Sequence, residues 1–423
     1  MVPRARPRPG PGRGPGVVIA AISLTGVLAN TLVSPALPDI ARDLDVDESG
    51  IGLVVAAASL PGVVVAPIIG FAADRFGRRA VVLPCLVVFG LGGLAGMAAQ
   101  SFTFLLAARF VQGFGAAGLV NLAVVMIGDL HEDPVRRAEA IGRNGAVLTV
   151  GLAVLPAVGG AVVAIGGWRA SFGLYAIAFL VAAAVARVLP GGRPAGVSTL
   201  SDQIRGAGTY LRDRRVIAMT SVGFVGFVLV FGVVLTALPI DLHARFGAGP
   251  ALRGVMLGLP AAAAAIVSLG MGRLSRRWAT WDLVLAGFVV LALAFAAIAV
   301  APSIALVGVA VVAYGVGEAL IIVSLQAYAA GLAPAAFRGV MVAIWVSAVR
   351  GGQALGPVLA GVSLHAMGSR GAFVAGAAVA AGTAGAVVWI RPRVSTPDGD
   401  GDRVRLSPDA DGDITATHDP GGR

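Results

Sequence analysis

The chain has 423 residues, of which 57% are hydrophobic and only 13% are charged, and its mean hydropathy is +0.88. A soluble globular protein carries about 25% charged residues, so this composition excludes an ordinary soluble domain and predicts a protein with many membrane-spanning helices. The net charge of +10 would suggest nucleic-acid binding in a soluble protein, but here it is expected of loops that face an anionic cytoplasmic leaflet.

The chain begins with a basic tail rich in Pro and Gly, at 1–16, which we expect to be disordered. Twelve apolar runs follow, each long enough to cross roughly 30 Å of hydrocarbon as a helix. The predicted spans are 17–38, 51–70, 80–99, 103–127, 144–165, 170–189, 216–239, 254–271, 282–301, 303–325, 339–361 and 370–390. The predicted fold class is therefore an all-α, polytopic membrane protein with twelve transmembrane helices.

A polar linker at 190–215 separates the first six spans from the last six. We therefore expect a six-helix bundle at 17–189, a cytoplasmic linker and a second six-helix bundle at 216–391. The remaining segment, 392–423, carries seven Asp residues and is expected to be a disordered acidic tail. Its DGDGD and DADGD runs lack the Gly that a calcium loop needs at its sixth position, so no metal site is predicted.

The arginines predict the orientation of the chain in the membrane. Every basic residue is Arg, and with both termini in the cytoplasm 25 of the 32 lie on the cytoplasmic side and 5 lie outside. The other two, Arg109 and Arg350, lie inside predicted spans. Because basic residues near span ends stay in the cytoplasm, we expect a multi-pass protein of the plasma membrane with both termini cytoplasmic. We expect it to be a monomer in the lipid bilayer that binds no nucleic acid.

The two predicted bundles repeat one another. SPALPDIARDL at 34–44 returns as LTALPIDLHARF at 235–246, and QGFGAAG at 112–118 returns as YGVGEAL at 314–320. Two halves of the same orientation imply a repeat about an axis along the membrane normal, with a site at the seam that is exposed alternately to the two sides. This organisation indicates a transporter of small molecules.

Three motifs resemble those of the major facilitator superfamily. GFAADRFGRR at 70–79 is similar to its loop between the second and third helices, and RFVQGFGAAG at 109–118 resembles its fourth-helix motif. The third is similar to the fifth-helix pattern of its antiporters and comprises Gly142, Gly151, Pro156, Gly159 and Gly160. The resemblance covers about 17–391 and extends to the twelve-helix drug:proton antiporter branch. It implies export rather than uptake, although Leu155 replaces the Gly that is usual before the Pro.

The resemblance implies that the loop at 70–79 is a cytoplasmic latch. Its residues are Gly70, Asp74, Arg75, Gly77, Arg78 and Arg79. In this interpretation Asp74 is the key acid, and it can face the positive N-terminal end of a neighbouring helix. The alternative is that the arginines only set the topology, which explains neither Asp74 nor the two glycines. We therefore favour the latch.

Four ionisable residues are candidates for proton coupling: Glu318, Arg109, Arg350 and Asp39. An ionisable group inside a span should line a cavity or form a pair, and apolar surroundings hold a carboxyl group such as Glu318 towards its neutral form. Three structural alternatives stay open. Arg109 can bond to carbonyl oxygens of the first helix, Asp39 can be a solvated acid at a helix end, and Glu318 can pair permanently with Arg350.

The resemblance also implies that helices 1, 4, 7 and 10 line a central cavity. The polar residues that these helices offer, besides Glu318, are Asn30, Thr31, Ser34, Asn121, Tyr314 and Gln326. The rest of the lining would be apolar, which suits amphipathic or lipophilic solutes better than sugars. The same Asn and Ser side chains could instead form hydrogen bonds between helices.

These observations predict a secondary active transporter that exports lipophilic or amphipathic compounds in exchange for protons, driven by the proton gradient without a cofactor. A proton-coupled importer of a small metabolite is the alternative within transporters. A membrane-embedded enzyme or sensor is a further alternative, but the spans contain no HExxH motif, no GxSxG motif with a partner His and no acidic dyad. We therefore do not expect an enzyme.

Overall fold

The computed structural model describes residues 13–131, 133–189, 213–332 and 338–394. Within these ranges the regular secondary structure is entirely helical. Most of the predicted linker and nearly all of the two predicted tails lie outside the described residues. We call 13–189 the N-terminal part and 213–394 the C-terminal part.

The N-terminal part contains seven α-helices and two short 3₁₀ turns. They are α1 (Arg13–Thr31), a 3₁₀ turn (Ser34–Ala36), α2 (Leu37–Asp43), α3 (Glu48–Phe76), α4 (Arg78–Met97), α5 (Phe102–Leu130), α6 (Pro134–Gly173), a second 3₁₀ turn (Leu174–Ala176) and α7 (Ile177–Val188). Several helices begin before the apolar run that predicted them, because a polar cap starts them outside it. Asp47, Ser101 and Asp133 each accept a backbone N–H bond at the start of α3, α5 and α6. Hydrogen bonds from the Ser49 hydroxyl and the Gly50 amide lower the pKa of Asp47 below its usual value.

The C-terminal part contains six α-helices and one π-helical segment. They are α8 (Arg214–Leu229), the π segment (Val230–Ala237), α9 (Leu238–Phe246), α10 (Pro250–Leu274), α11 (Thr280–Val300), α12 (Ile304–Leu332) and α13 (Arg338–Val394). Nothing in the sequence pattern predicted the π segment. Within it the Thr236 hydroxyl donates to the Phe231 carbonyl, five residues back, at 2.8 Å. Such segments are rare and often occur at functional sites.

Ten helical stretches are long and apolar enough to cross a membrane among the residues described. Two of them, Val135–Val188 and Ile344–Arg391, have 54 and 48 residues, far more than the roughly 20 that one crossing needs. Each contains one glycine with a positive φ, Gly167 at 76° and Gly368 at 68°. Glycine adopts this conformation without the steric cost of a Cβ atom, so the chain changes direction at both points. The sequence predicted a break between two spans at each of these places.

One face of the molecule is defined by contacts between helix ends near α2, and we call it the Asp39 face. There the Trp168 indole N–H donates to Asp43 at 2.8 Å. The neighbouring Arg169 donates to the Ala99 carbonyl at 3.0 Å. The C-terminal half of α6 and the end of α4 therefore lie at the same face as α2.

The opposite face contains the loop at 70–79, and we call it the Asp74 face. Arg78 donates to Asp129, near the end of α5, at 3.1 Å. Arg79 donates to the Leu189 carbonyl, just after α7, at 3.0 Å. Since α6 begins just after α5 at this face, the chain from α6 to α7 runs to the Asp39 face and returns.

The buried apolar residues form two large clusters. The first consists mostly of residues before 190, and its aromatic rings include Phe89 and Tyr175, whose centroids lie 5.4 Å apart. The second consists of residues between 216 and 387, and includes Phe295 and Tyr314 with centroids 5.3 Å apart. Each part of the chain therefore packs around a core of its own.

Candidate functional site

The two parts meet closely along α6 and α10. The Pro156 carbonyl lies against Gly254, and the Pro250 carbonyl lies against Gly160. A Cβ atom on either glycine would collide with the carbonyl oxygen that faces it. We call this contact the first seam. Its helices approach backbone to backbone because glycine has no side chain.

A second seam joins α3 and α13. The Pro357 carbonyl lies against Gly52, and the Ser49 carbonyl lies against Gly361. In the sequence repeat Pro357 corresponds to Pro156. The second seam is thus the counterpart of the first, with the roles of the two parts exchanged.

The predicted antiporter motif in α6 packs on both of its neighbours. Besides the contacts of Pro156 and Gly160 with α10, a Cβ atom at Gly151 would strike the Leu24 side chain, and one at Gly159 would lie 2.8 Å from the Leu32 carbonyl oxygen. These two contacts hold α6 against the end of α1. At Gly142, the first residue of the motif, such an atom would have no described residue within 4 Å.

Both seams lie in the halves of their helices nearest the Asp39 face. Towards the Asp74 face α3, α6 and α10 present glycines that meet no described residue within 4 Å of a Cβ position, namely Gly70, Gly142, Gly270 and Gly272. The close approach of the two parts is therefore at the Asp39 face.

An ion pair joins the two parts beside the first seam. Arg253 in α10 is 1% exposed and donates from Nη2 to the Asp39 carboxylate in α2. Asp39 also binds Arg42 at 2.7 Å, and its side chain is 16% exposed. In this conformation Asp39 is thus a largely buried, paired acid at the contact between the parts, and its role in proton coupling stays a prediction.

Asp241, the repeat counterpart of Asp39, is fully buried. It pairs with Arg245 at 3.2 Å, and Arg245 donates in turn to the Ile298 and Ala301 carbonyls. All of these partners belong to the C-terminal part. The two repeat-related acids therefore differ in role: Asp39 joins the two parts, whereas Asp241 stabilises helix ends within the C-terminal part.

Arg109 is fully buried in α5 and lies among the helices of the N-terminal part. It donates to the Ala29 carbonyl at 2.7 Å, the Val54 carbonyl at 3.0 Å, the Gln112 side chain at 2.5 Å and Asn30 Oδ1 at 2.7 Å. These bonds tie α5 to α1 and α3, as the structural alternative for Arg109 expects. Its role in proton transfer stays a prediction.

Three of the predicted cavity residues are engaged within the N-terminal part. Asn30 donates to the Ser59 hydroxyl at 3.2 Å besides accepting from Arg109. The Thr31 hydroxyl donates to the Val27 carbonyl, and the Ser34 hydroxyl donates to the Asn30 carbonyl. Thr31 and Ser34 are also buried. Their hydroxyl groups therefore contribute to helix packing in this conformation.

The other candidates on α5 and α12 are less engaged. Asn121 and Glu318 are half-buried, and Gln326 is exposed. Tyr314, one helical turn before Glu318, is buried, and its hydroxyl interacts with the Glu318 carboxyl without meeting the geometry of a normal hydrogen bond. Glu318 forms no salt bridge with any described residue. Along α12, therefore, Glu318 and Gln326 retain some exposure, whereas the Tyr314 hydroxyl is enclosed by protein.

Arg350 in α13 reaches into the N-terminal part. It donates to the Ala117 carbonyl of α5 at 3.4 Å and to Gln353 in its own helix at 3.3 Å. A Cβ atom at Gly62 in α3 would lie 3.2 Å from its Cδ. Arg350 is not in a salt bridge with Glu318, so this conformation does not support a permanent pair between them.

The loop at 70–79 makes its polar contacts within the N-terminal part. Arg78 bonds to Asp74, one turn earlier, as well as to Asp129. Gly77 separates α3 from α4 with φ at 95°, a value that favours glycine. Arg75 is exposed, with its guanidinium 5.9 Å from the Phe76 ring centroid. Asp74 is therefore held by Arg78 in this conformation rather than by a helix end of the C-terminal part.

The family model of the Major Facilitator Superfamily matches residues 19–239 and 220–410. The chain belongs to the Major Facilitator Superfamily. It is 29% identical over 149 residues to the bacillibactin exporter of Bacillus subtilis, covering 34% of this chain and 37% of that protein. It is 32% identical over 171 residues to multidrug resistance protein D of Escherichia coli, covering 40% and 43%. The matched segment thus spans well under half of either relative.

Solved structures share the fold of this superfamily member. A bacterial homologue of the human lysosomal transporter Spinster, in an inward-facing and occupied conformation, matches with a TM-score of 0.75 over 90% of this chain and 96% of the other. The two are 18% identical, so the likeness concerns the fold alone. The family match and these neighbours show a multi-pass membrane protein with the fold of this superfamily, some of whose members have names that describe export or drug resistance.

Proposed function

We propose that this protein exports lipophilic or amphipathic small molecules across the plasma membrane in exchange for protons, by alternating access. The observation that carries the proposal is the pair of repeated seams at one face, Pro156 on Gly254 and Pro357 on Gly52. Two pseudo-symmetric contacts that close one side of a repeat interface are what rocking of two halves about a central site requires.

Twelve crossings by two six-helix bundles are part of the proposal. The 54-residue stretch ending at Val188 begins and ends at the Asp74 face and turns at Gly167 near the Asp39 face. The 48-residue stretch ending at Arg391 turns similarly at Gly368, and Arg391 bonds Asp282 near the start of α11. Two crossings in each of these stretches bring ten candidate spans to twelve. The bundles are then 17–189 and 216–391, and we propose that they function as a monomer.

We propose that the Asp74 face is cytoplasmic, with both termini on that side, because most arginines lie there. The conformation described is then closed to the outside. The test uses a variant in which Cys85 is replaced. A cysteine at the exposed position of His243, near the Asp39 face, should react with an impermeant thiol reagent added to intact cells, whereas one at Arg276 should not. The reverse pattern would overturn the orientation.

Export rather than import is supported by the α6 motif and by relatives whose names describe export and drug resistance. Gly151, Gly159 and Gly160 make the close contacts of α6 with α1 and α10, so the residues of this motif form the surface that closes the Asp39 face. Substrate would enter from the cytoplasm while the Asp74 face is open. It would leave when the seams separate.

Glu318 is the proposed proton carrier. It lies in the middle of α12, it has no salt bridge with a described residue, and Tyr314 is one turn away. A carboxyl group in such a place exchanges protons only when water reaches it, so its protonation can follow which face is open. A proton taken from outside would accompany the return of the empty transporter.

The decisive experiment uses inside-out membrane vesicles that contain the protein and a panel of lipophilic dyes and metabolites. When protons are pumped into the lumen, we expect at least one dye to accumulate in the vesicles. This accumulation should disappear when the gradient is collapsed, and vesicles without the protein should not show it. Gradient-driven accumulation in right-side-out cells instead would favour the importer.

A further inference from the structure

Among the described residues Arg109 and Arg350 lie at membrane depth and Arg253 lies in the first turn of α10, and the three differ in how their charge is compensated. Arg109 makes four hydrogen bonds of 3.0 Å or less. Arg253 forms an ion pair with Asp39. Among the described residues Arg350 has two bonds, at 3.3 and 3.4 Å, and both acceptors are neutral oxygens. Charge-assisted bonds of a guanidinium are normally about 2.7–2.9 Å, so both bonds of Arg350 are long. Arg253 also has two nitrogen atoms without a described partner, but its charge is already paired with the Asp39 carboxylate.

The position of Arg350 is that of a substrate contact. It extends from the C-terminal part between α3 and α5 of the N-terminal part, over Gly62 and towards the Ala117 carbonyl. These two residues lie near the middle of their helices, which places the guanidinium near the bilayer midplane. Substrate sites in transporters of this repeat organisation lie at that depth, between the repeats. The side chain remains half-buried, so the site is not filled by protein alone.

No acidic group neutralises Arg350 among the described residues. Glu318 on α12 is not in a salt bridge with Arg350. An uncompensated arginine near the bilayer centre is costly. A solute carrying a negative charge would offset this cost, whereas a neutral or cationic solute would not.

We propose that Arg350 forms an anion subsite, and that the transported compounds include amphipathic organic anions with a carboxylate or sulfonate group. The apolar body of such a compound would lie against the Ala, Val and Gly residues of α3 and α5, with its charged group on the guanidinium. This inference rests on the proposed transport function, and it adds a substrate class to which composition gave no clue.

The test uses three probes with the same apolar body: pyrenebutyrate, its neutral amide and a pyrenebutyl trimethylammonium cation. Binding to the full-length protein in phosphatidylcholine nanodiscs is measured by tryptophan-to-pyrene energy transfer. We expect the wild type to bind pyrenebutyrate about tenfold or more tightly than the amide, the effect of one charge-assisted hydrogen bond. A wild type without this preference would overturn the proposal.

The variant Arg350→Gln should lose the preference while keeping the affinity for the neutral amide, which also shows that it is folded. Arg350→Lys should retain part of the preference for the anion, since the positive charge remains but the planar guanidinium with its paired N–H donors is lost. The matched control is Arg277→Gln, an exposed arginine in the loop after α10, which should behave like the wild type. Retention of the full preference by Arg350→Gln would contradict the assignment.

An anionic lipid headgroup presents the same chemistry as a soluble anion. Repeating the titration in nanodiscs that contain phosphatidylglycerol separates the two. If the anionic lipid lowers the affinity for pyrenebutyrate more in the wild type than in Arg350→Gln, the subsite binds lipid. If it lowers the affinity equally in both proteins, the subsite binds substrate. Failure of export is distinguishable from failure of this inference. Arg350-dependent binding of pyrenebutyrate without gradient-driven uptake into inside-out vesicles would contradict efflux and leave the subsite intact.

Discussion

Arg253 and Asp39 form an ion pair across the two parts of the molecule, although 214 residues separate them in the chain. Arg253 is almost completely buried, and two of its nitrogen atoms, Nε and Nη1, have no partner among the described residues. The pair stands beside the first seam. We interpret it as a lock that stabilises the closed Asp39 face.

Removal of either partner should destabilise this conformation, but unequally. Asp39→Asn leaves the buried Arg253 without a counterion, whereas Arg253→Gln leaves Asp39 with Arg42 and partial solvent contact. We therefore expect the larger fall in thermal stability from Asp39→Asn. The double variant should be less destabilised than the sum of the two, with a coupling of roughly 0.5–3 kcal/mol. If the loss of unfolding free energy in the double variant equalled the sum of the losses in the two single variants, the pair would not stabilise the protein.

The second seam makes a steric prediction. Gly52→Ala places a methyl group against the Pro357 carbonyl, which should prevent full closure of the Asp39 face. We expect the initial transport rate to fall about tenfold, which is equivalent to roughly 1.4 kcal/mol in the rate-limiting step. Gly272→Ala is the matched control, because nothing lies within 4 Å of a Cβ atom there. Equal rates for the two variants at equal membrane abundance would remove the seam from the mechanism.

The latch makes a prediction about Asp74. Asp74→Asn should reduce transport strongly at near-normal abundance, because Asp74 is proposed to hold the Asp74 face closed in the opposite conformation. The control is Arg276→Ala in the repeat counterpart of the loop, MGRLSRR at 271–277, which has no acid. Loss of transport in Arg276→Ala but not in Asp74→Asn would show that the other loop is the functional one.

The coupling role of Glu318 predicts a separation of activities. Glu318→Gln should abolish gradient-driven transport yet keep substrate binding and energy-independent exchange, since the neutral amide resembles the protonated acid but cannot release a proton. If Glu318 were instead a structural partner of Arg350, the variant would lose thermal stability and Arg350→Leu would partly restore it. Full gradient-driven transport by Glu318→Gln would rule out the proton role.

The sequence predicted the membrane class and the positions of the helices well, because an apolar run must be long enough to cross the hydrocarbon and every backbone group in it must be bonded internally. It placed breaks near Gly167 and Gly368, where the chain changes direction. It did not predict the π segment at 230–237. That segment packs against α13, where Gly232 meets the Gly356 carbonyl, and a contact between distant helices is not visible in local sequence pattern.

The site was predictable only in part, for a related reason. The loop at 70–79 and the α6 motif have fixed local spacings, so residues such as Asp74 and Pro156 could be selected from the sequence. The partner of Asp39 could not, because Arg253 is in another helix and reads as one of several arginines near span ends. The difference between Arg109 and Arg350 depends likewise on which carbonyl groups face each side chain, which only the packed structure gives.

Alternating access itself is tested most directly by distances measured at both faces in one preparation. Spin labels at Ile165 and Leu252 report on the Asp39 face, and labels at Val135 and Arg276 report on the Asp74 face; all four side chains are exposed. Double electron–electron resonance measures the distance between the two labels of each pair in a protein whose Cys85 is replaced. The distances are recorded with and without a transported substrate and across the pH range of transport. We expect reciprocal changes: the distance at the Asp39 face should lengthen as the distance at the Asp74 face shortens. Distances that change together, or that stay fixed under conditions in which the same labelled protein transports, would contradict it.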